Sequence, residues 1–246
     1  MSIVRNAVII GLMRSVPEIK REPLVILMLA GISAMPLIFI GVFGREGMID
    51  FGLIGAMVSS VGFLAVSTCI QEISWDRYVK LREMVVAMPV HQLSYAMGLT
   101  ISALILSLPG FVLYLIIAAF RDLITIISLL QILGAVVLCW IALSVVGFAI
   151  ATYMYKASPN TVSVVANILS FTFIFLPPVY YPEQFMGSYS WISFIFPTSN
   201  AAAIIRYSTG AVPMDANALA LHWIVLVVTV VIFAIIVLKK SRWREV

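Results

Sequence analysis

Six charged side chains crowd into twelve residues of an otherwise apolar chain: Glu72, Asp76, Arg77, Lys80, Arg82 and Glu83. They lie in a stretch that reads EISWDRYVKLREMVVAMP over positions 72–89. Helix-compatible neighbours surround them. Tyr78, Leu81, Met84 and Val85 fall on one side of such a helix, with charges on the other. That pattern suits docking: apolar anchors enter a partner's groove and salt bridges form at the rim. The same pattern also suits a helix lying on lipid.

Other chemistry is missing from the sequence. No Gly-Lys pair occurs anywhere, so there is no GxxxxGK[ST] phosphate loop for nucleotide hydrolysis. No HExxH, Cys/His cluster or GxSxG elbow is present. His91 and His222 are predicted near opposite membrane faces, as interfacial polar residues that cannot share a metal. Carboxylates are absent from the interiors of the apolar runs, which argues against an intramembrane proton relay. The expectation is a chain with no catalytic residue and no cofactor of its own.

The elements that must position the charged stretch are set by composition. The 246 residues are 63% hydrophobic and 11% charged, with mean hydropathy +1.12. Soluble domains are about 25% charged, so the chain reads as an integral membrane protein. A spanning helix needs about 20 mostly apolar residues. Six runs qualify: 24–44, 51–71, 92–120, 123–155, 157–182 and 216–238. A further uncharged run, 184–205, holds Gly187, Ser188, Ser190, Ser193, Pro197, Thr198, Ser199 and Asn200. Non-helical backbone at membrane depth is tolerated only under protein or water. This run therefore reads as one or two short helices dipping into the outer leaflet without crossing.

Charge fixes the expected orientation. With six spans and both termini in the cytoplasm, twelve Lys and Arg fall inside and only Arg45, Arg121 and Arg206 outside, out of fifteen. That is the sign the positive-inside rule requires, so the net charge of +4 points to no nucleic-acid partner. Positions 1–22 read as an interfacial amphipathic helix on the cytoplasmic leaflet, with Ile3, Ala7, Ile10 and Leu12 among Arg5, Arg14, Lys20 and Arg21. The whole chain, 1–246, reads as one transmembrane domain, with a cytoplasmic helix at 72–89 and outer re-entrant helices at 183–206.

Inside the spans the polar content is small. Gly55, Ser59, Ser60 and Gly62, and likewise Ser144, Gly147 and Ala151, let helices approach closely. Such faces serve packing within the chain, a dimer seam or the lining of a pathway. Asn167 reads as a buried polar side chain, either an interhelical hydrogen bond or a cargo contact. The two halves do not match as inverted repeats. Cys69 and Cys139 lie in predicted spans and behave there as small hydrophobes.

Two segments resemble the permease subunits of type-2 ABC exporters. That family carries an acid-x-x-x-Gly-Thr-Leu-Glu pattern, then apolar residues and Pro, between its second and third spans. Aligned on Pro89, Asp76 falls on the acid, Arg77 on a frequent basic position and Glu83 on the glutamate. Lys80 and Leu81 stand where the family carries Gly-Thr. The second segment, 178–206, matches at Tyr181, Pro182, Glu183, Pro197, Thr198 and Arg206, with Pro178 in a family Gly position.

The resemblance implies an all-α integral membrane fold of six transmembrane helices in the cell membrane. It also implies a half-transporter, paired with a second copy or a homologue. The ATPase, with its ATP and Mg, would be a separate chain that docks on a coupling helix through Trp75, Asp76, Arg77, Tyr78, Leu81, Glu83, Met84 and Pro89. Tyr181, Pro182, Glu183, Pro197 and Arg206 would form an outer gate, where Glu183 and Arg206 pair, line an exit or act as interfacial anchors. The uncharged interior favours export of an amphipathic or lipid-like cargo. An ATP-independent channel, or a scaffold whose cytoplasmic helix recruits a partner, is the alternative reading.

Overall fold

The computed structural model describes residues 3–44, 47–79, 91–154, 156–213 and 216–240. Among them the chain is all helical. α1 is Ile3–Arg21, α2 Pro23–Phe43, α3 Met48–Tyr78, α4 Gln92–Phe120, α5 Ile126–Tyr153 and α6 Pro159–Phe175. A 3-10 helix follows at Glu183–Phe194, then α7 at Pro197–Ser208 and α8 at Ala216–Lys240.

The helix starts follow local chemistry. Pro23, Pro159 and Pro197 occupy first-turn positions, where a missing N–H costs nothing. Thr125 and Ser128 form a reciprocal cap on α5, and the Ser158 hydroxyl accepts from the Thr161 amide on α6. Leu176 is the C-terminal cap of α6, and Pro177-Pro178 follow immediately. Neither proline has an N–H to continue the i→i−4 ladder, and each ring crowds the preceding turn, so bent chain replaces helix over 176–181.

This is a membrane protein: Met48–Asp76, Leu93–Phe120, Ile126–Tyr153 and Ala216–Val237 are long and apolar enough to cross a bilayer. The run expected at 24–44 is matched by α2, Pro23–Phe43, whereas the run expected at 157–182 comes out shorter, as the apolar helix Pro159–Phe175. The 17 residues of α6 rise only about 26 Å at 1.5 Å each, under the roughly 30 Å of bilayer hydrocarbon. The proline pair cuts the expected run short.

α3 is the hub. It packs against α2, α4, α5, α6 and α7. In its most apolar window 94% of residues are buried, against 11% for α8. Small residues make this possible. A Cβ on Gly55 would sit 2.5 Å from Tyr180 Cδ1, and one on Gly147 of α5 would meet the Val66 carbonyl oxygen at 3.0 Å. Close packing of this kind is what joins helices where lipid offers no hydrophobic drive. The outward faces of α2, α4, α6 and α8 are hydrocarbon, with Phe39, Phe120, Ile168 and Ile224 all more than half exposed.

α1 lies along α4, where Gly11 meets Ile101 and Gly98 meets Ile10. Ala7, Gly11 and Ser15 are its buried side. The side left open is apolar, with Val4, Val8, Leu12 and Met13 exposed. The sequence expectation of an amphipathic helix lying on a leaflet is thus refined. The helix docks on the bundle through small residues and offers hydrocarbon to its surroundings.

The bundle has two distinct ends. At one, α1 meets the last turn of α3 and the first turns of α4. At the other, Met48, Asp50, Leu123, Phe185, Thr209 and Gly210 surround a shared hollow, and Arg121 Nε donates to Asp50 Oδ1 at 2.7 Å.

Candidate functional site

Each end carries a cluster of buried polar side chains. The first grows from the terminal turns of α3. The sequence led us to expect a separate surface helix beginning at Glu72. Instead α3 continues unbroken through Glu72 to Tyr78. The charges that would stop a span are compensated internally. Arg14 of α1 donates through one Nη to Glu72 and through the other to Asp76. The Tyr95 hydroxyl of α4 donates to Asp76 as well. The Arg14 guanidinium also lies 5.7 Å from the Tyr95 ring centroid, a cation–π distance.

Asp76 is therefore only 4% exposed. Its carboxylate ties three helices together and does not face outward, contrary to the surface placement read from the sequence. Burial alone would lower the Arg14 pKa, but Glu72 and Asp76 raise it above its ordinary value. On the same helix, burial pushes the Glu18 carboxyl up, and neighbouring Glu22 adds to the rise.

Trp75 and Tyr78 do face outward, 57% and 67% exposed. Their rings lie 5.7 Å apart. α3 thus presents an aromatic pair on one side of its tip while an ion cluster anchors the other. Leu81, Glu83, Met84 and Pro89 lie outside the described residues, as does the Arg77 side chain.

Beside this tip runs a crevice of about 410 Å³ between α2, α3 and α6. Glu18, Glu72, Gln71 and Asn167 give it a polar rim, while Ile32, Phe63 and Phe171 are among its apolar walls. Asn167 is exposed, where the sequence suggested a buried side chain. Gln71 Nε2 reaches its Oδ1 at 3.5 Å. The volume lies within the range of small-molecule pockets, about 300–1,000 Å³.

The second cluster sits where the 3-10 helix covers α7 and α8. Gly187, at φ 53 and ψ −120, kinks the 3-10 helix, a backbone state that favours glycine. α7 is buried along nearly its whole length, from Pro197 to Arg206. Arg206 is 2% exposed and donates to the Pro178 carbonyl at 3.0 Å and to that of Val179. It thereby satisfies backbone freed by the proline pair. Burial pulls its pKa down to about 10, against the pull of Glu183.

Glu183 does not pair directly with Arg206. Its Oε1 faces His222 Nε2 of α8 at 3.5 Å. Burial would raise the Glu183 pKa, but the polar groups of His222 and Ser193 that face it, with the nearby charge of Arg206, hold it below the usual carboxylate range. His222 is fully buried against the neighbouring elements. Its ring stacks on Phe194 at 4.6 Å, and its Nδ1 lies 2.8 Å from Asn200 Oδ1.

Of the gate residues expected from sequence, Pro182, Pro197 and Arg206 are buried, and Tyr181 and Glu183 half-buried. His222 and Asn200, which complete the cluster, were missed. A buried histidine flanked only by apolar neighbours in sequence carries no local sign of a partner 39 residues away (183 to 222). Comparison with protein-family models and with curated proteins returns no match.

Proposed function

We propose that this chain is the permease subunit of an ABC exporter, with six spans, both termini in the cytoplasm and ATP hydrolysis in a separate chain. The observation that carries the reading is the tip of α3. A central, almost wholly buried helix runs past its apolar stretch and ends in an exposed aromatic pair, Trp75 and Tyr78. Aromatic anchors of this kind dominate binding at protein interfaces. Because Arg14 ties the tip to α1 and Tyr95 ties it to α4, a displacement there moves the core of the bundle as a body.

In this reading an ATPase docks on Trp75, Tyr78 and the segment that follows, through Leu81, Glu83, Met84 and Pro89. A second copy or a homologue completes the pathway. The polar-rimmed, apolar-walled crevice by Asn167 suits an amphipathic or lipid-like cargo that enters headgroup first. The 3-10 helix and α7, with Tyr181, Pro182, Glu183, Pro197 and Arg206, cap the far side.

The test is co-expression of the full chain with candidate ABC ATPase chains, followed by copurification and cargo transport in proteoliposomes. The expected result is a stable complex with ATP-dependent transport. The double change Trp75→Ala, Tyr78→Ala should lose the complex and leave membrane insertion and melting temperature unchanged. Cargo movement at full rate without any ATPase would favour the channel reading. A complex that survives the double change would remove the α3 tip from the docking role.

A further inference from the structure

We propose that Glu183 and His222 form a proton-binding site that latches the 3-10 helix onto α8. Asn200 sets the tautomer of His222. Its Nδ2 donates to the carbonyls of Phe194 and Phe196, at 3.1 and 2.9 Å. Those two bonds use both amide hydrogens and fix which way the amide points. Oδ1 must then be the atom that faces His222 Nδ1 at 2.8 Å. A carbonyl oxygen only accepts, so Nδ1 carries the hydrogen.

The consequence falls on the other ring nitrogen. In a neutral imidazole with hydrogen on Nδ1, Nε2 holds a bare lone pair. Nε2 faces Glu183 Oε1 at 3.5 Å, and a carboxylate oxygen is also an acceptor. Two acceptors facing each other in a buried site repel. With one proton on Nε2 the same contact becomes an ion pair. The arrangement therefore holds together only with that proton in place. Imidazole is the side chain that most readily gains and loses a proton near neutrality, so pH is the variable that tests the latch.

The surroundings leave the pair in control. α5 and α7 pack against α8, and α5 contributes no Asp, Glu, Lys, Arg or His. α7 contributes Arg206, whose cation favours the ionised carboxylate and opposes a second positive charge. Tyr181 lies near Arg206 from the preceding loop. Arg206 is held by two backbone carbonyls, so it cannot swing to replace His222. Glu183 Oε2, Ser193 Oγ, Arg206 Nε and His222 Nε2 all lack a hydrogen-bond partner. Loss of the shared proton therefore has no ready compensation. The latch joins elements of this chain alone and does not depend on an ATPase partner.

The experiment places nitroxide labels on Tyr189→Cys of the 3-10 helix and Ile224→Cys of α8. Both positions are more than half exposed. The buried Cys69 and Cys139 are changed to serine, and the full chain is held in phospholipid nanodiscs. Distances are measured by pulsed electron resonance at about pH 5.5 and about pH 8.5, which bracket the imidazole range. The expected result is one short distance at low pH and a second, longer population at high pH, with the open-to-closed ratio rising by about tenfold or more.

Glu183→Gln distinguishes this from simple loss of an ion pair. The glutamine amide supplies the hydrogen that the Nε2 lone pair accepts, so the latch should stay closed at both pH values. His222→Phe keeps the ring stack on Phe194 and should give one distribution at both pH values. A distance unchanged with pH in the labelled parent, or a pH response that persists in Glu183→Gln, overturns the proposal.

Discussion

The two buried polar clusters do similar work by opposite means. Near α1, a guanidinium meets two carboxylates, and a tyrosine hydroxyl adds a further donor. Under the 3-10 helix, the guanidinium of Arg206 is spent on backbone carbonyls. The carboxylate of Glu183 is left to a histidine and a serine. The first cluster is complete at any pH at which carboxylates are ionised. The second depends on one proton. Permanent charges clamp one end of the bundle, and a conditional donor leaves the other free to move.

That contrast breaks most sharply at Arg14. Removing it strands two carboxylates in a part-buried site. Breaking a buried pair by deleting one partner costs about 3–5 kcal/mol. Arg14→Ala should therefore show the largest fall in thermal melting temperature in detergent. Arg14→Lys should recover only part of it, since a single ammonium cannot reproduce the forked contact to Glu72 and Asp76. Equal stability of Arg14→Lys and the parent would show that the fork contributes nothing.

Arg206 comes next. Arg206→Met keeps the stem packed and leaves two carbonyls without a donor. Hydrogen bonds to charged groups contribute about 1.5–3 kcal/mol each, but removing Arg206 also relieves the desolvation penalty of a fully buried cation, so the net loss should be about 2–3 kcal/mol, smaller than at Arg14. The melting curve should localise it, with protease nicking near the 3-10 helix before the bundle unfolds. A loss larger than that of Arg14→Ala would reverse the comparison between the two ends.

The smallest effect belongs to a control pair. Asp50 and Arg121 form an ion pair with 24% and 42% side-chain exposure. Exposed pairs contribute about 0–1 kcal/mol and weaken with salt. Asp50→Asn should shift melting by under about 1 kcal/mol, and the shift should vanish at high ionic strength. A salt-independent loss would mean that this contact belongs with the buried clusters.

Much of the scaffold was legible in the sequence. The charge-free runs at 51–71, 92–120 and 123–155 mark α3, α4 and α5, because hydrocarbon length is a one-dimensional property. The Gly187, Pro197 and serine content of 184–205 marks a stretch that does not cross, and the chain forms a kinked 3-10 helix and the short α7 there. The clusters were not legible. Arg14 and Asp76 are 62 residues apart, and an arginine in a basic leader reads as a topology signal. Asp76 reads as a surface charge because nothing nearby in sequence neutralises it. Its partners arrive only when α1 and α4 close around α3. The partners of His222 were hidden for the same reason, since Asn200 sits on a different helix.

The burial of α3 has a consequence for how this sequence can drift. A helix enclosed on every side has no permissive heading, so each position of α3 is answerable to a different neighbour. α8 answers to the bundle along a narrow stripe and elsewhere to anything greasy. Across a lineage, α8 should therefore wander freely among Leu, Ile, Val and Phe. α3 should change rarely, and then together with a residue on α2, α4, α5, α6 or α7.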